Sequence, residues 1–175
     1  MNGKILSGLL VALSLTAAPM AMAANWQPLK SNEGGFTVMM PAGYVDEKKP
    51  VDMGGAAKAN NISYRVESDG AYWGVSVTDY PAAVSGQPQK MLENARDGAI
   101  KRSNGALRTD RVITVAGKPA REVVYDVIND GNTYTVRQRF VLVSPQRVIQ
   151  QAYVGQRGTE QGPEAQKFFA SLQLK

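Results

Sequence analysis

The sequence predicts an α+β fold in which helices pack on a mostly antiparallel sheet. Across residues 117–155, β-branched and aromatic side chains alternate with polar ones at a period of two, which indicates three consecutive strands. Residues 129–132 contain Asp-Gly, which supplies the positive φ angles of a type I′ hairpin turn, and Ser-Pro-Gln at 144–146 interrupts the chain again. Strands joined by such short turns pair antiparallel, and two separate segments carry the apolar spacing of helices.

The remaining elements follow from similar local patterns. Short apolar or alternating runs predict further strands at residues 36–40, 62–66, 71–80 and 107–115. Residues 44–55 are ambiguous, because Lys-Lys-Pro at 48–50 favours a loop or a weak edge strand. Pro88 is well placed to begin one helix, and Gly162-Pro163 begins the last one.

The strand at residues 133–143 is predicted to lie inside the sheet. Alternation puts Phe140 on one face with Val136 and Leu142, and the strand lacks the Pro and Lys residues that edge strands often carry. We therefore expect Phe140 in the core. On this interpretation Phe140→Ala unfolds much of the protein, whereas Arg139→Ala leaves it folded.

The first residues have the pattern of a secretory signal peptide. Lys4 precedes an uncharged apolar run at 5–18, and Pro19 ends that run. Ala21-Met22-Ala23 then fits the small-x-small rule of a signal peptidase site, with Ala24 as the second choice for the residue before the cut.

We therefore predict a signal peptide at residues 1–23 and a single domain at residues 24–175. The alternative is an uncleaved membrane anchor, but the apolar run is short for a span that needs about 20 residues. We expect a protein of the periplasm, or a secreted one, with no stable membrane span after cleavage.

The chain contains no histidine and no cysteine, which excludes several classes of site. Ser-His and Cys-His nucleophiles, disulfides, and imidazole or thiolate metal sites all need one of these residues. Neither Ser-x-x-Lys nor Gly-x-Ser-x-Gly occurs. Loss of Lys4 lowers the formal net charge from +5 to +4, and the charges are spread along the chain, so nothing indicates nucleic-acid binding. We predict no catalytic residue and no cofactor.

Two groups of acidic residues are candidate metal sites. Asp126 and Asp130 have part of the spacing of a calcium loop, but Arg137 occupies the position of the expected bidentate Glu. We interpret this segment as a hairpin turn. Asp46 and Glu47, with Asp52, are interpreted as a solvated acidic segment, so no metal site is predicted.

Three arginines are the candidate interaction surface. Arg137 and Arg139 share one strand face, and Arg121 is expected on the neighbouring strand. Such a cationic stripe would suit an acidic protein or lipid head groups. The alternative is that these arginines pair with Glu122 or Asp126, or lay their stems over the sheet.

Several short motifs extend over nearly the whole predicted domain. They are Phe-Thr-Val at 36–38 before Pro41, Thr-Asp-Tyr-Pro at 78–81, Ala-Arg-Asp-Gly at 95–98, Gly-Lys-Pro-Ala-Arg-Glu at 117–122, residues 137–143, and Phe-Phe-Ala-Ser-Leu at 168–172. In this order they resemble the PsbP-like superfamily, which includes bacterial envelope proteins of the LpqN and DcrB type. The resemblance implies an α/β/α sandwich around an antiparallel sheet. Many bacterial members of this superfamily are uncharacterised envelope proteins, and the better-known members act by binding other proteins.

From these observations we expect an exported, non-catalytic envelope protein. The predicted role is a protein-binding or accessory module whose partner is another envelope protein. The alternatives are a periplasmic binder of a small molecule or an anionic lipid, and a hydrolase that uses Ser, Lys or carboxylate groups.

Overall fold

The computed structural model describes residues 25–52, 58–80 and 88–175 of the chain. The predicted signal peptide at 1–23 lies outside the described residues, as does the side chain of Asp52. No helix in the described part of the chain has both the length and the apolar character needed to cross a membrane.

The described residues form two sheets and two α-helices. In chain order the elements are β1 (Trp26–Ser31), β2 (Phe36–Pro41), β3 (Val45–Asp52), β4 (Lys58–Ser68), β5 (Ala71–Asp79), α1 (Pro88–Ser103), β6 (Ala106–Val115), β7 (Lys118–Asn129), β8 (Asn132–Ser144), β9 (Arg147–Gln156), a short 3-10 helix (Thr159–Gln161), α2 (Pro163–Ala170) and β10 (Gln173–Leu174). Seven strands form one sheet in the order β3-β4-β5-β9-β8-β7-β6, and β1-β2-β10 form the other. Every strand pair is antiparallel. The predicted α+β class is confirmed.

The hairpin turns have the predicted chemistry. Asp130 and Gly131, between β7 and β8, have φ angles of 48° and 77°. Ala116 and Gly117, between β6 and β7, have φ angles of 48° and 76°. Two central residues with positive φ define the type I′ turn, whose twist matches that of the strands it joins. These turns hold β6, β7 and β8 side by side.

A hydrophobic core lies on each face of the seven-stranded sheet. On the face that we call the α2 face, the sheet packs against the three-stranded sheet and α2. The ring of Trp73 is central there, with its centroid 4.7 Å from that of Tyr153 and 5.6 Å from that of Phe168. On the opposite α1 face, Leu92 of α1 packs with Phe140 and its neighbours on β7 and β8.

The prediction for the central strand is confirmed. β8 lies between β7 and β9, and Phe140 is 2% exposed. Its neighbour Val141 belongs to the core of the opposite face, as expected for successive residues of a strand.

The two edges of the sheet are β3 and β6. The segment interpreted as a loop or weak edge strand is an edge strand, β3, in its described part. A bulge between Leu107 and Thr109 interrupts the pairing of β6 with β7, so regular pairing begins again at Thr109 and continues to Val115.

Candidate functional site

A cleft of about 480 Å³ lies on the α2 face between β6 and the end of α2. It is lined by Arg111, Ile113, Thr114, Val115, Ala116, Glu122, Arg137, Arg139, Phe169, Ala170 and Leu172. Its charged lining consists of three arginines and one glutamate, and its other walls are largely apolar.

The register of three neighbouring strands brings the charged side chains together. Arg111 on β6 lies opposite Glu122 on β7, and Glu122 lies opposite Arg139 on β8. Because alternate residues of a strand point to the same face, Arg137 lies on this face as well. We call Arg111, Glu122, Arg137 and Arg139 the cleft cluster.

The Glu122 carboxylate is the centre of the cleft cluster. Its Oε1 accepts a hydrogen bond from Arg111 Nη2 at 2.5 Å. Its Oε2 accepts from Arg137 Nη2 at 3.0 Å and from Arg139 Nη2 at 2.7 Å. Burial alone would raise the pKa of Glu122, but the charges of Arg137 and Arg139, and the hydrogen bonds from both, bring it below its usual value of 4.5. The carboxylate is therefore ionised at neutral pH.

Arg137 and Arg139 also attach α2 to the sheet. Arg139 Nη1 donates to the Phe169 carbonyl in the last turn of α2 at 2.5 Å, and a cation is favoured at this end of the helix dipole. Both guanidinium groups lie over the Phe169 ring, 4.3 Å from its centroid for Arg137 and 5.1 Å for Arg139. Burial lowers the pKa of Arg139, and the Glu122 charge partly offsets this effect. These two arginines therefore have a structural role.

Arg111 differs from the other two arginines because it is exposed. Its side chain is 58% exposed, against 4% for Arg137 and 13% for Arg139. Three guanidinium groups share a single carboxylate, so the cleft cluster carries two positive charges in excess. Much of that excess faces solvent at Arg111.

The three arginines predicted as one surface do not lie together. Arg121 is opposite Phe140 in the strand register and therefore lies on the α1 face, away from Arg137 and Arg139. There it donates to both carboxylate oxygens of Asp110, at 2.6 and 2.7 Å, and is largely buried.

A second charged cluster surrounds Arg121 on the α1 face. Arg96 of α1 also donates to Asp110, and Glu93 of α1 lies 3.6 Å from Arg121. We call Arg96, Glu93, Asp110 and Arg121 the α1 cluster. It contains two guanidinium groups and two carboxylates, and it connects α1 to β6 and β7.

Sequence reasoning missed Arg111, which is the exposed member of the cleft cluster. The alternation in β6 does contain the signal, because Arg111, Ile113 and Val115 fall on one face at a period of two. The alternative expectation, that these arginines pair with Glu122, is correct for Arg137 and Arg139.

Two carboxylates and one phenol among the described residues each have a single protonation state at neutral pH. The pKa of Asp110 is lowered, mainly by its hydrogen bond from Arg121, so this carboxylate is ionised at neutral pH like that of Glu122. Burial raises the pKa of Tyr125 to about 12, so its hydroxyl stays protonated. In the described part of the chain, no group of three or more acidic side chains is placed to hold a metal ion.

No family model matches the chain, and the search of curated proteins found no match. Solved structures are similar in fold. The PsbP protein of the cyanobacterium Synechocystis, known as CyanoP, superposes with a TM-score of 0.59 at 12% identity, over 92% of this chain and 99% of that one.

Two further solved structures superpose less closely. One is a Pseudomonas aeruginosa protein of unknown function, PA94, with a TM-score of 0.45 at 14% identity over 86% of this chain and 97% of that one. The other is LpqN of Mycobacterium tuberculosis, which is involved in cell envelope biogenesis, with a TM-score of 0.48 at 15% identity over 86% and 78%. With the strand order and helix packing described above, the match to CyanoP identifies the fold of this chain as the PsbP-like α+β fold.

Proposed function

We propose that the protein is an exported, non-catalytic module of the cell envelope that binds another protein along its β6 edge. The leader-like pattern at residues 1–23 supports export. The observation that carries the binding role is the difference between the two edge strands of the large sheet.

The β3 edge has features that discourage pairing with another chain. It contains Lys48, Lys49 and Pro50, the residue types that natural proteins place on exposed edges. The β6 edge contains neither Lys nor Pro. Leu107 and Val112, two large apolar side chains that are exposed, both lie on β6.

The charged side chains of β6 are engaged with the body of the protein. Arg108 donates to Glu160 at 3.2 Å, Asp110 accepts from Arg121, and Arg111 donates to Glu122. Within the described residues, β7 is the one strand that pairs with β6. Every second residue of its outer edge therefore has an N–H and a C=O available for a further strand.

The available side chains favour binding over catalysis. The sequence supplies no histidine or cysteine, and the carboxylates of Glu122 and Asp110 are stabilised in their ionised form. A general acid–base group works best with a pKa near the operating pH, and these two groups are shifted away from it.

Binding of a small anion or a lipid head group in the cleft is a second candidate function. The excess positive charge of the cleft cluster and the exposure of Arg111 favour it. This ligand would contact the side chains in the cleft and would not need the outer edge of β6.

A cross-linking experiment in cells distinguishes the two functions. A photo-reactive amino acid is placed at Val112 on β6 and, as a matched control, at Val45 on β3, because these valines are 59% and 55% exposed. We expect a discrete adduct with an envelope protein from position 112 and none from position 45. Equal adducts from both positions, or none from position 112, would contradict the proposal.

Export has its own test. N-terminal sequencing of the protein from the soluble envelope fraction is expected to begin at Ala24 or Asn25. A mature, membrane-bound protein that still begins at Met1 would contradict export with cleavage.

A further inference from the structure

The cleft and the β6 edge are parts of one surface. Arg111, Ile113 and Val115 line the cleft with their side chains, and their backbone belongs to the free edge. A strand added beside β6 would place alternate side chains on this same face, about 4.5–5.5 Å from those three. Alternate side chains of a segment that pairs with β6 would therefore contact the cleft.

The two ends of this surface differ in chemistry. Arg111 is at the charged end. Ile113 and Val115 are half-buried and pack against the core of the α2 face, and Leu172 extends the apolar wall. Along β6, one cationic position is thus followed by two apolar ones at a spacing of two residues.

The charged end has capacity for one more carboxylate. Among the described residues, the contact with Glu122 is the one hydrogen bond of the Arg111 guanidinium, which has five N–H donors in a planar fork. A second carboxylate would reduce the excess charge of the cleft cluster. An arginine fork also fits a carboxylate in a bidentate arrangement.

We propose that β6 binds an extended segment of a partner protein that carries a carboxylate beside Arg111 and apolar side chains beside Ile113 and Val115. The segment pairs through its backbone with the outer edge of residues 109–115, where the strand is regular. Its acidic residue is followed, or preceded, by apolar residues two and four positions away. This inference rests on the proposed function and specifies the chemistry of the partner.

Synthetic peptides test this inference directly. The probes are two blocked heptapeptides in which one glutamate and two valines occupy alternate positions, in either order, with threonine between them. Matched peptides carry glutamine in place of the glutamate. Binding to the isotope-labelled protein starting at Ala24 is followed by the backbone amide NMR signals.

We expect saturable shifts concentrated at residues 109–115 and at the cleft. The glutamate peptide should bind about five-fold more tightly than the glutamine peptide, as for a partly exposed ion pair. Arg111→Gln should remove this preference. Arg157→Gln should preserve it, because Arg157 is a comparably exposed arginine outside the cleft.

Four results would overturn the inference. The glutamate peptide could show no preference over the glutamine peptide, or shift signals outside β6 and the cleft. Vesicles containing phosphatidylglycerol could produce the β6 and cleft shifts while the peptides do not. The free protein could instead self-associate through β6, with concentration-dependent shifts at 109–115 that Val112→Lys abolishes. Lack of glutamate preference alongside an adduct from position 112 would overturn this inference and leave the proposed function supported.

Discussion

The hairpin formed by β6 and β7 carries a charged cluster on each face, and the two clusters are built differently. The α1 cluster has two arginines and two acids, and α1 covers it. The cleft cluster has three arginines and one acid, and its outermost arginine is exposed. Adjacent residues of the same strand supply both clusters, since Asp110 precedes Arg111 and Arg121 precedes Glu122.

This difference separates structural charge from charge that is available to a ligand. In the α1 cluster two guanidinium groups are matched in number by two carboxylates, so the cluster carries no net charge and connects α1 to the sheet. In the cleft cluster Arg137 donates to the Glu160 carbonyl in the 3-10 helix and Arg139 donates to the Phe169 carbonyl in α2. Arg111 adds a charge that the cluster does not neutralise. This difference is the reason why we propose a binding role for the cleft cluster and not for the α1 cluster.

Phe140→Ala should have the largest effect on stability, because it removes a core side chain beneath the α1 cluster. Truncation of a buried phenylalanine costs about 3–5 kcal/mol, a large part of the roughly 5–15 kcal/mol that stabilises a typical domain. Urea denaturation measures the loss. A midpoint close to that of the wild type would contradict the register that puts Phe140 opposite Arg121.

Glu122→Gln should be the most damaging change in either charged cluster. It removes the one carboxylate shared by three arginines, two of them buried, and such a loss costs about 3 kcal/mol or more. Asp110→Asn in the α1 cluster is the matched change and should cost less, because Asp110 is more exposed than Glu122. Equal losses of unfolding free energy would contradict the central position of Glu122.

Arg139→Ala should destabilise the protein by about 2 kcal/mol, as expected for lost hydrogen bonds to charged groups. The sequence led us to expect only that this variant stays folded. The structure adds a cost in stability to that expectation, because Arg139 donates hydrogen bonds both to Glu122 and to the last turn of α2. Arg157→Ala is the control, and its unfolding free energy should stay near that of the wild type. A wild-type value for Arg139→Ala would contradict the structural role of Arg139.

Acid should weaken the cleft cluster through Glu122. Its pKa is lower in the folded protein than the usual value of 4.5, so its contribution to stability is fully present above that pH and is lost as the pH falls through the lower, folded value. The unfolding free energy of the wild type should therefore fall below about pH 4.5, and that of Glu122→Gln should fall less steeply. Parallel curves for the two proteins would argue against this linkage.

The strands of the large sheet could be predicted from the sequence because their patterns are local. Alternation and the Asp-Gly turn define β7 and β8 within a few residues of each other. The three-stranded sheet was not predicted, because it depends on a distant contact. β10 has two residues and pairs with Phe36 and Thr37, more than 130 positions earlier in the chain.

The arrangement of the candidate site also depends on contacts between strands, which local sequence patterns do not specify. Alternation within β7 already puts Arg121 on the side of Val123 and Tyr125, and puts Glu122 on the other. The expectation of one arginine surface required the register between β7 and β8, which the sequence of either strand alone does not specify. The importance of Arg111 depends on the same register and on β6 being an edge.

The most direct test of the account compares Arg111→Gln with Arg96→Gln in the cross-linking experiment at position 112. Each variant removes one arginine charge, the first from the cleft cluster and the second from the α1 cluster. We predict that Arg111→Gln lowers the adduct yield several-fold with little loss of unfolding free energy. Arg96→Gln should lower the unfolding free energy. Its adduct yield, relative to the amount of folded protein, should stay unchanged. Unchanged yield in Arg111→Gln, or an equal fall in both variants, would contradict the assignment of binding to the cleft cluster.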